Sequence, residues 1–137
     1  MSYGTAAALQ QSVYQRLVAD PVLATLVDGA IYDTLPQGSL PPIYITLGPE
    51  DVRVRSDRTS GGAWHRFTVS VVTETAGFHA AKTVAAAVSD ALVDAPLALS
   101  RGTMSGLHFF RARAQREGAG ALRRIDLIFR ARVDDTD

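Results

Sequence analysis

Residues 122–133 read LRRIDLIFRARV, and this stretch decides the fold. Apolar and charged side chains alternate along it, which is typical of a β-strand with one face in the core and the other in water. The apolar face comprises Ile125, Leu127, Phe129, Ala131 and Val133, and the opposite face carries Arg124, Asp126, Arg130 and Arg132. Because a one-residue slip would bury three arginines, we expect a strongly fixed register.

Two further stretches predict strands beside this one. Residues 64–75 place the apolar Phe67, Val69 and Val71 on one side and polar residues between them, which indicates a half-buried antiparallel strand. Residues 107–116 are joined to 122–133 by a segment with two glycines, which predicts a hairpin turn. The side chains expected to share the core face of this second strand are Phe110, Ala112 and Ala114.

The first half of the chain predicts shorter strands over residues 30–34 and 43–47. Pro42 has no N–H to donate, so we expect the strand over 43–47 to begin at an edge of the sheet. The Gly48-Pro49 pair is expected to break that strand, and alternation resumes over residues 51–55.

Three helices are predicted. Residues 5–19 place Leu9, Val13 and Leu17 on one helical face. Asp20-Pro21 is typical of an N-cap followed by proline in the first turn, and predicts a short second helix. Residues 78–94 form the clearest helix, because their apolar residues recur at spacings of three and four. This stripe consists of Phe78, Ala81, Ala85, Val88 and Leu92.

The order of these elements predicts an α+β fold. We expect an antiparallel sheet of at least four strands, with the N-terminal helix and the long central helix packed on one face. The other face is expected to be wet and rich in arginine and threonine, or covered by a neighbouring molecule. We expect one domain over residues 1–137, with 134–137 frayed.

Composition narrows the possible chemistry. The chain has 137 residues, of which 47% are hydrophobic, so a folded core is expected. It has no cysteine, which excludes disulfides, thiolate metal sites and cysteine nucleophiles. No apolar run approaches 18 residues, so no membrane span is predicted, and the first residues do not resemble a secretory signal.

Motifs for catalysis are absent from the sequence. His65, His79 and His108 form no pair at metal-binding spacing, and we expect them at the surface or the edge of the core. Glu50 and Asp51 are adjacent, but neighbours on a strand face opposite ways and cannot share a proton. The sequence therefore predicts no enzyme, no cofactor and no metal.

Charge is unevenly distributed although the net charge is zero. Residues 101–133 carry eight arginines against two carboxylates, whereas residues 1–50 carry one arginine against four carboxylates. Opposite poles suit head-to-tail association of identical subunits, and a basic sector also suits nucleic acid. Arginines that simply keep wet strand faces soluble are the alternative.

The polar segment 56–63 contains two glycines and predicts a mobile loop. Together with the C-terminal arginines it supplies the candidate interface residues. These are Arg53, Arg55, Asp57, Arg58, Arg111, Arg113, Arg124, Arg130 and Arg132.

Taken in order, the segments resemble the small tail-completion, or tail terminator, proteins of long-tailed phages and gene transfer agents. The resemblance covers nearly all of residues 3–133, and PPIYITLG after a short helical hairpin is its most telling part. The matching segments are LQQSVYQRL (9–17), DPVLATLV (20–27), AIYD (30–33), PPIYITLG (41–48), the strand 64–75 with the alanine-rich helix ending at Ala91-Leu92, and the paired strands ending in FRARV (129–133).

The resemblance implies a structural protein that forms a ring, usually a homo-hexamer, at the junction between tail and neck of a phage-like particle made in the bacterial cytoplasm. Such rings end polymerisation of the tail tube. The implied partners are further copies of the chain, the tail tube protein and a neck stopper protein, with non-specific contact to DNA passing through the lumen. Alternatives are another head–tail connector component, a stopper or adaptor, and a small-ligand-binding regulatory domain.

Overall fold

Within residues 3–54 and 62–135, which the computed structural model describes, the chain forms three helices and five strands. In chain order these are α1 (Ala6–Ala19), α2 (Pro21–Val27), β1 (Ile31–Tyr32), β2 (Ile43–Val54), β3 (Gly62–Thr73), α3 (His79–Leu92), β4 (Thr103–Glu117) and β5 (Leu122–Asp134). The sheet order is β1-β2-β3-β5-β4, and all neighbours are antiparallel except β1 and β2. The predicted α+β class is confirmed.

The helices lie on one face of this sheet and bury its apolar side chains. α3 packs against β3 and β5, and both α1 and α2 contact α3. The Asp20 carboxylate caps α2 by accepting a hydrogen bond from the N–H of Leu23 at 3.0 Å, as the sequence predicts. No helix within these residues is long and apolar enough to cross a membrane.

Strand β5 has the predicted register. Its apolar residues from Ile125 to Val133 lie buried on the helix face, and the residues between them are half-buried on the other. Phe129 has no exposed surface, and its ring stacks on that of Phe67 with the centroids 5.7 Å apart. The alternation of residues 122–133 therefore identifies the residues of β5 that lie at the centre of the core.

Strand β2 agrees with the prediction only in part. It continues through Gly48-Pro49 as one strand, because a shift of register between Leu47 and Glu50 absorbs the two residues as a bulge. Its first residues, Ile43 and Tyr44, pair with β3 alone, as predicted for a strand that begins at an edge, but β1 pairs in parallel with the next two, Ile45 and Thr46. Past Thr46, β3 is the neighbour with which the described part of β2 pairs.

Strand β4 corrects another expectation. A shift of register between Phe109 and Arg111 adds one residue to this strand, so Phe110 turns to the face opposite the helices. Phe109, Ala112 and Ala114 then share the helix face, but all three are exposed because the helices do not extend over them. The prediction that Phe110 shares a core face with the two alanines is wrong.

His65 is fully buried on β3, which corrects the expected surface or core-edge position. Its Nε2 lies 3.3 Å from the hydroxyl oxygen of Thr5, the N-cap residue of α1. Within the described residues, Nδ1 is buried without a hydrogen-bond partner. Burial lowers the pKa of His65 below its ordinary value of 6.5, because the charged imidazolium would lose its hydration.

This burial predicts a pH-dependent stability. The free energy of unfolding should be level above pH 6.5 and should fall as the pH drops below it, because the unfolded chain then takes up a proton that the native state excludes. Urea denaturation at several pH values measures the slope. His65→Gln should flatten it and His79→Gln should not, and equal slopes for His65→Gln and the parent protein would contradict the assignment.

The last described residues of the chain, Asp134 and Asp135, make contacts within the subunit. Asp134 is the last residue of β5 and pairs with both Gly62 and Thr103. The Asp135 carboxylate accepts two hydrogen bonds from the Arg101 guanidinium, at 2.8 and 3.0 Å. Residues 136 and 137, which complete the segment predicted to fray, lie outside the described range.

Candidate assembly surfaces

The sheet face opposite the helices holds arginines flat against aromatic rings. The guanidinium carbon of Arg130 lies 4.0 Å from the centre of the Trp64 ring, and that of Arg66 lies 4.2 Å from the centre of the Phe110 ring. Both distances are within the range of about 6 Å for cation–π contacts. On this face, aromatic rings therefore cover part of the arginine side chains.

Arg124 is fixed by a network within the subunit. Its Nε donates to the Asp126 carboxylate at 2.9 Å, and the hydroxyl of the buried Ser70 donates to the same carboxylate oxygen at 2.6 Å. A further contact joins Arg124 to Glu117 at 3.3 Å. Burial alone would lower the pKa of Arg124, but the hydrogen bond that Arg124 donates to Asp126 and the charges of Asp126 and Glu117 outweigh it and raise that pKa.

Three of the candidate residues from the sequence thus share one situation. Arg124, Arg130 and Arg132 are half-buried on β5 and contact other groups of the same subunit, in the case of Arg132 the Asp134 carboxylate at 3.4 Å. Their positions on one face are as expected. Their guanidinium groups, however, already contact side chains of the same subunit, so they are only partly available to another molecule.

Arg111 and Arg113 are different, because they lie exposed on the edge strand β4. Beside them are two large exposed hydrophobic residues, Phe109 at 47% and Phe110 at 40%. We name the exposed stretch 109–114 the β4 edge. Sequence reasoning missed its apolar part.

An acidic cleft lies toward the opposite edge of the sheet. It is a cavity of about 620 Å³ between α1 and β2, and Asp33 and Glu50 supply its carboxylates. Tyr3 donates its hydroxyl hydrogen to Glu50, and Gln10 donates to Asp33 at 2.6 Å. The full lining consists of Tyr3, Ala6, Ala7, Gln10, Gln11, Tyr14, Asp33 and Glu50. Burial raises the pKa of Glu50.

The remaining candidate residues are Arg53 and three residues that follow it in the chain, before β3. Arg53 is exposed on β2, and its Nε donates to the Asp51 carboxylate at 3.1 Å. Arg55, Asp57 and Arg58 lie outside the described residues, as does most of the predicted mobile loop.

The arrangement suits binding between surfaces. Residues 3–54 and 62–135 contain no group of three or more histidine, aspartate or glutamate side chains that could hold a metal ion. They do carry a basic, partly apolar edge at β4 and an acidic cleft beside β2, at opposite ends of the strand order. Two different complementary surfaces on one chain are what head-to-tail association requires.

Two of the comparisons with known proteins give matches, one to a family model and one to solved structures. The family model described as Tail completion protein gp17 matches residues 11–134. A chain in the solved structure "Virion of native gene transfer agent (GTA) particle" is 58% identical, with a TM-score of 0.92, and the alignment covers 97% of this chain and 99% of that one. No curated protein matches.

Proposed function

The chain belongs to the tail completion protein gp17 family and is a structural protein of a phage or gene transfer agent tail, and from this we propose that it forms a ring at the head-proximal end of the tail tube. The ring ends tube polymerisation and joins the tail to a neck stopper protein. Six copies make the ring. One observation carries the proposal within this family: the two ends of the sheet present surfaces of opposite charge.

A closed ring uses one heterologous contact repeated around an axis. Each subunit must present one surface to the neighbour on its left and a different one to the neighbour on its right. A basic C-terminal half facing an acidic N-terminal half meets this condition, and the charges also disfavour contact between two like surfaces.

The predicted contacts to other tail components remain proposals. In this proposal Arg53, near the end of β2, and the segment that follows it in the chain face an adjacent ring. The arginines on the open face can meet DNA in the lumen without reading its sequence, since phosphate contacts need only positive charge. Arg130 stacked on Trp64 shows that part of this charge is already in use.

The proposal is tested with the purified protein and tail tube protein. Light scattering after size exclusion should give six times the chain mass of 14.6 kDa, and negative-stain images should show particles with a central hole. Added at a small molar fraction to growing tubes, the protein should stop their elongation. A monomer that leaves tube growth unchanged would overturn the proposed function.

A further inference from the structure

We propose that the contact between neighbouring subunits joins the β4 edge of one copy to the acidic cleft between α1 and β2 of the next. This contact depends on the proposed ring, and in it each surface is covered by the other surface of a second copy of the chain. The β4 edge presents Phe109, Phe110, Arg111 and Arg113, and the cleft presents Asp33 and Glu50 beside Tyr14.

The position of the two surfaces in the sheet is the first argument. The strand order begins at β1-β2 and ends at β4, so the two surfaces lie at opposite ends of it. Contact between opposite ends adds each subunit in the same direction, as a ring requires. Contact between two β4 edges would instead make an isolated dimer and stop there.

The side chains available at each surface are the second argument. Arg111 and Arg113 are exposed, and no hydrogen bond or ion pair within the described residues ties up their guanidinium groups. Asp33 and Glu50 are also exposed, and their partners inside the subunit are the neutral Gln10 and Tyr3. None of these four side chains forms an ion pair with another described residue, in contrast to Arg124.

The third argument is the exposed apolar surface on the helix face of β4, opposite the face that carries Arg111 and Arg113. Phe109, Ala112 and Ala114 lie on the helix face of β4, beyond the reach of the subunit's own helices. The cleft offers matching surface from Ala7 and Tyr14 on α1. A second copy that places its α1 there covers the part of the sheet face that the first copy leaves open, which removes apolar surface from water.

We do not expect the strands of neighbouring subunits to pair continuously across this contact. Pro49 and the bulge at Leu47–Glu50 interrupt the free side of β2, and a second bulge interrupts β4 at Phe109–Arg111. Such features protect edge strands from uncontrolled pairing. Side chains therefore make the contact, and their charges select the partner surface.

A charge-swap experiment tests the contact. Variant one carries Arg111→Glu and Arg113→Glu, and variant two carries Asp33→Arg and Glu50→Arg. Each alone should need a protein concentration about 100-fold higher or more to form rings, because like charges then face each other. All four residues are exposed, so far-ultraviolet circular dichroism should show an unchanged fold.

An equimolar mixture of the two variants should form rings again. In an alternating ring every contact pairs opposite charges, since the glutamates of one variant face the arginines of the other and the native surfaces face each other. Rings with an even number of subunits can close in this way. The exposed Lys82→Glu on α3, which changes charge by the same amount per site away from both surfaces, should form rings like the parent protein.

The outcomes separate the contact from the proposed function. If the parent protein forms rings and both variants do so equally well, the contact lies elsewhere and the ring stands. The same conclusion follows if the variants form rings but no longer stop tube growth, since the β4 edge or the cleft would then bind the tube.

If the parent protein forms no ring, both the proposed function and the proposed contact are wrong. If the mixture fails to restore rings, the pairing of these two surfaces is wrong.

Discussion

Replacing Phe129 by alanine should lower the free energy of unfolding by about 3–5 kcal/mol, the usual cost of removing a buried phenylalanine ring. Phe129 has no exposed surface and lies in the middle of β5, where it stacks on Phe67. Its ring also meets the edge of the Phe109 ring, with centroids 6.1 Å apart. Urea denaturation followed by circular dichroism measures the loss.

Phe109→Ala is the matched control, because it deletes the same ring from the same aromatic pair at a position that is 47% exposed. Its effect on unfolding should be clearly smaller, since water already reaches that ring and no closed cavity is left. Both substitutions should be made in the Arg111→Glu/Arg113→Glu variant, because subunit association then does not add to the measured stability. Equal losses for the two variants would contradict the position of the core.

The sequence was sufficient for β5 and for the helices because their patterns are long and unbroken. Alternation from Ile125 to Val133 fixed which side of that strand is buried, and Asp20-Pro21 fixed the start of α2. The same reasoning failed on β4, where a bulge at Phe109–Arg111 reverses the alternation. Neither glycine nor proline marks that bulge in the sequence, so it is visible only through pairing with β5.

The candidate surfaces were predicted only in part for a similar reason. Charge asymmetry in the sequence identified the arginines, but not which of them are used within the subunit. That depends on residues from other strands, such as Ser70 on β3 for Arg124 on β5. The acidic cleft depends on α1 packing beside β2, which joins Tyr3 to Glu50 across 47 positions. No local pattern contains that contact.

Asp126→Ala should lower the free energy of unfolding by about 2–3 kcal/mol, the range for hydrogen bonds to charged groups whose partners stay buried. The carboxylate accepts from the Ser70 hydroxyl at 2.6 Å and from the Arg124 Nε at 2.9 Å. Its removal leaves the hydroxyl of the fully buried Ser70 without its acceptor, and leaves Arg124 with the longer contacts to Ser70 at 3.2 Å and to Glu117 at 3.3 Å. Adding Ser70→Ala should recover part of the loss, which a double-mutant cycle in urea measures.

The pair of Arg53 and Asp51 provides a control of the same chemistry and spacing. It also joins Nε to a carboxylate oxygen between residues two apart on one strand, at 3.1 Å, but its side chains are 74% and 55% exposed. Asp51→Ala should therefore change stability by less than about 1 kcal/mol, because water screens an exposed pair and replaces its hydrogen bonds. The Arg124 and Asp126 side chains are only 26% and 25% exposed, so water cannot substitute there to the same extent. Similar losses for Asp51→Ala and Asp126→Ala would mean that burial on the open sheet face does not strengthen this network, and that Arg124 is as available to a neighbouring molecule as Arg53.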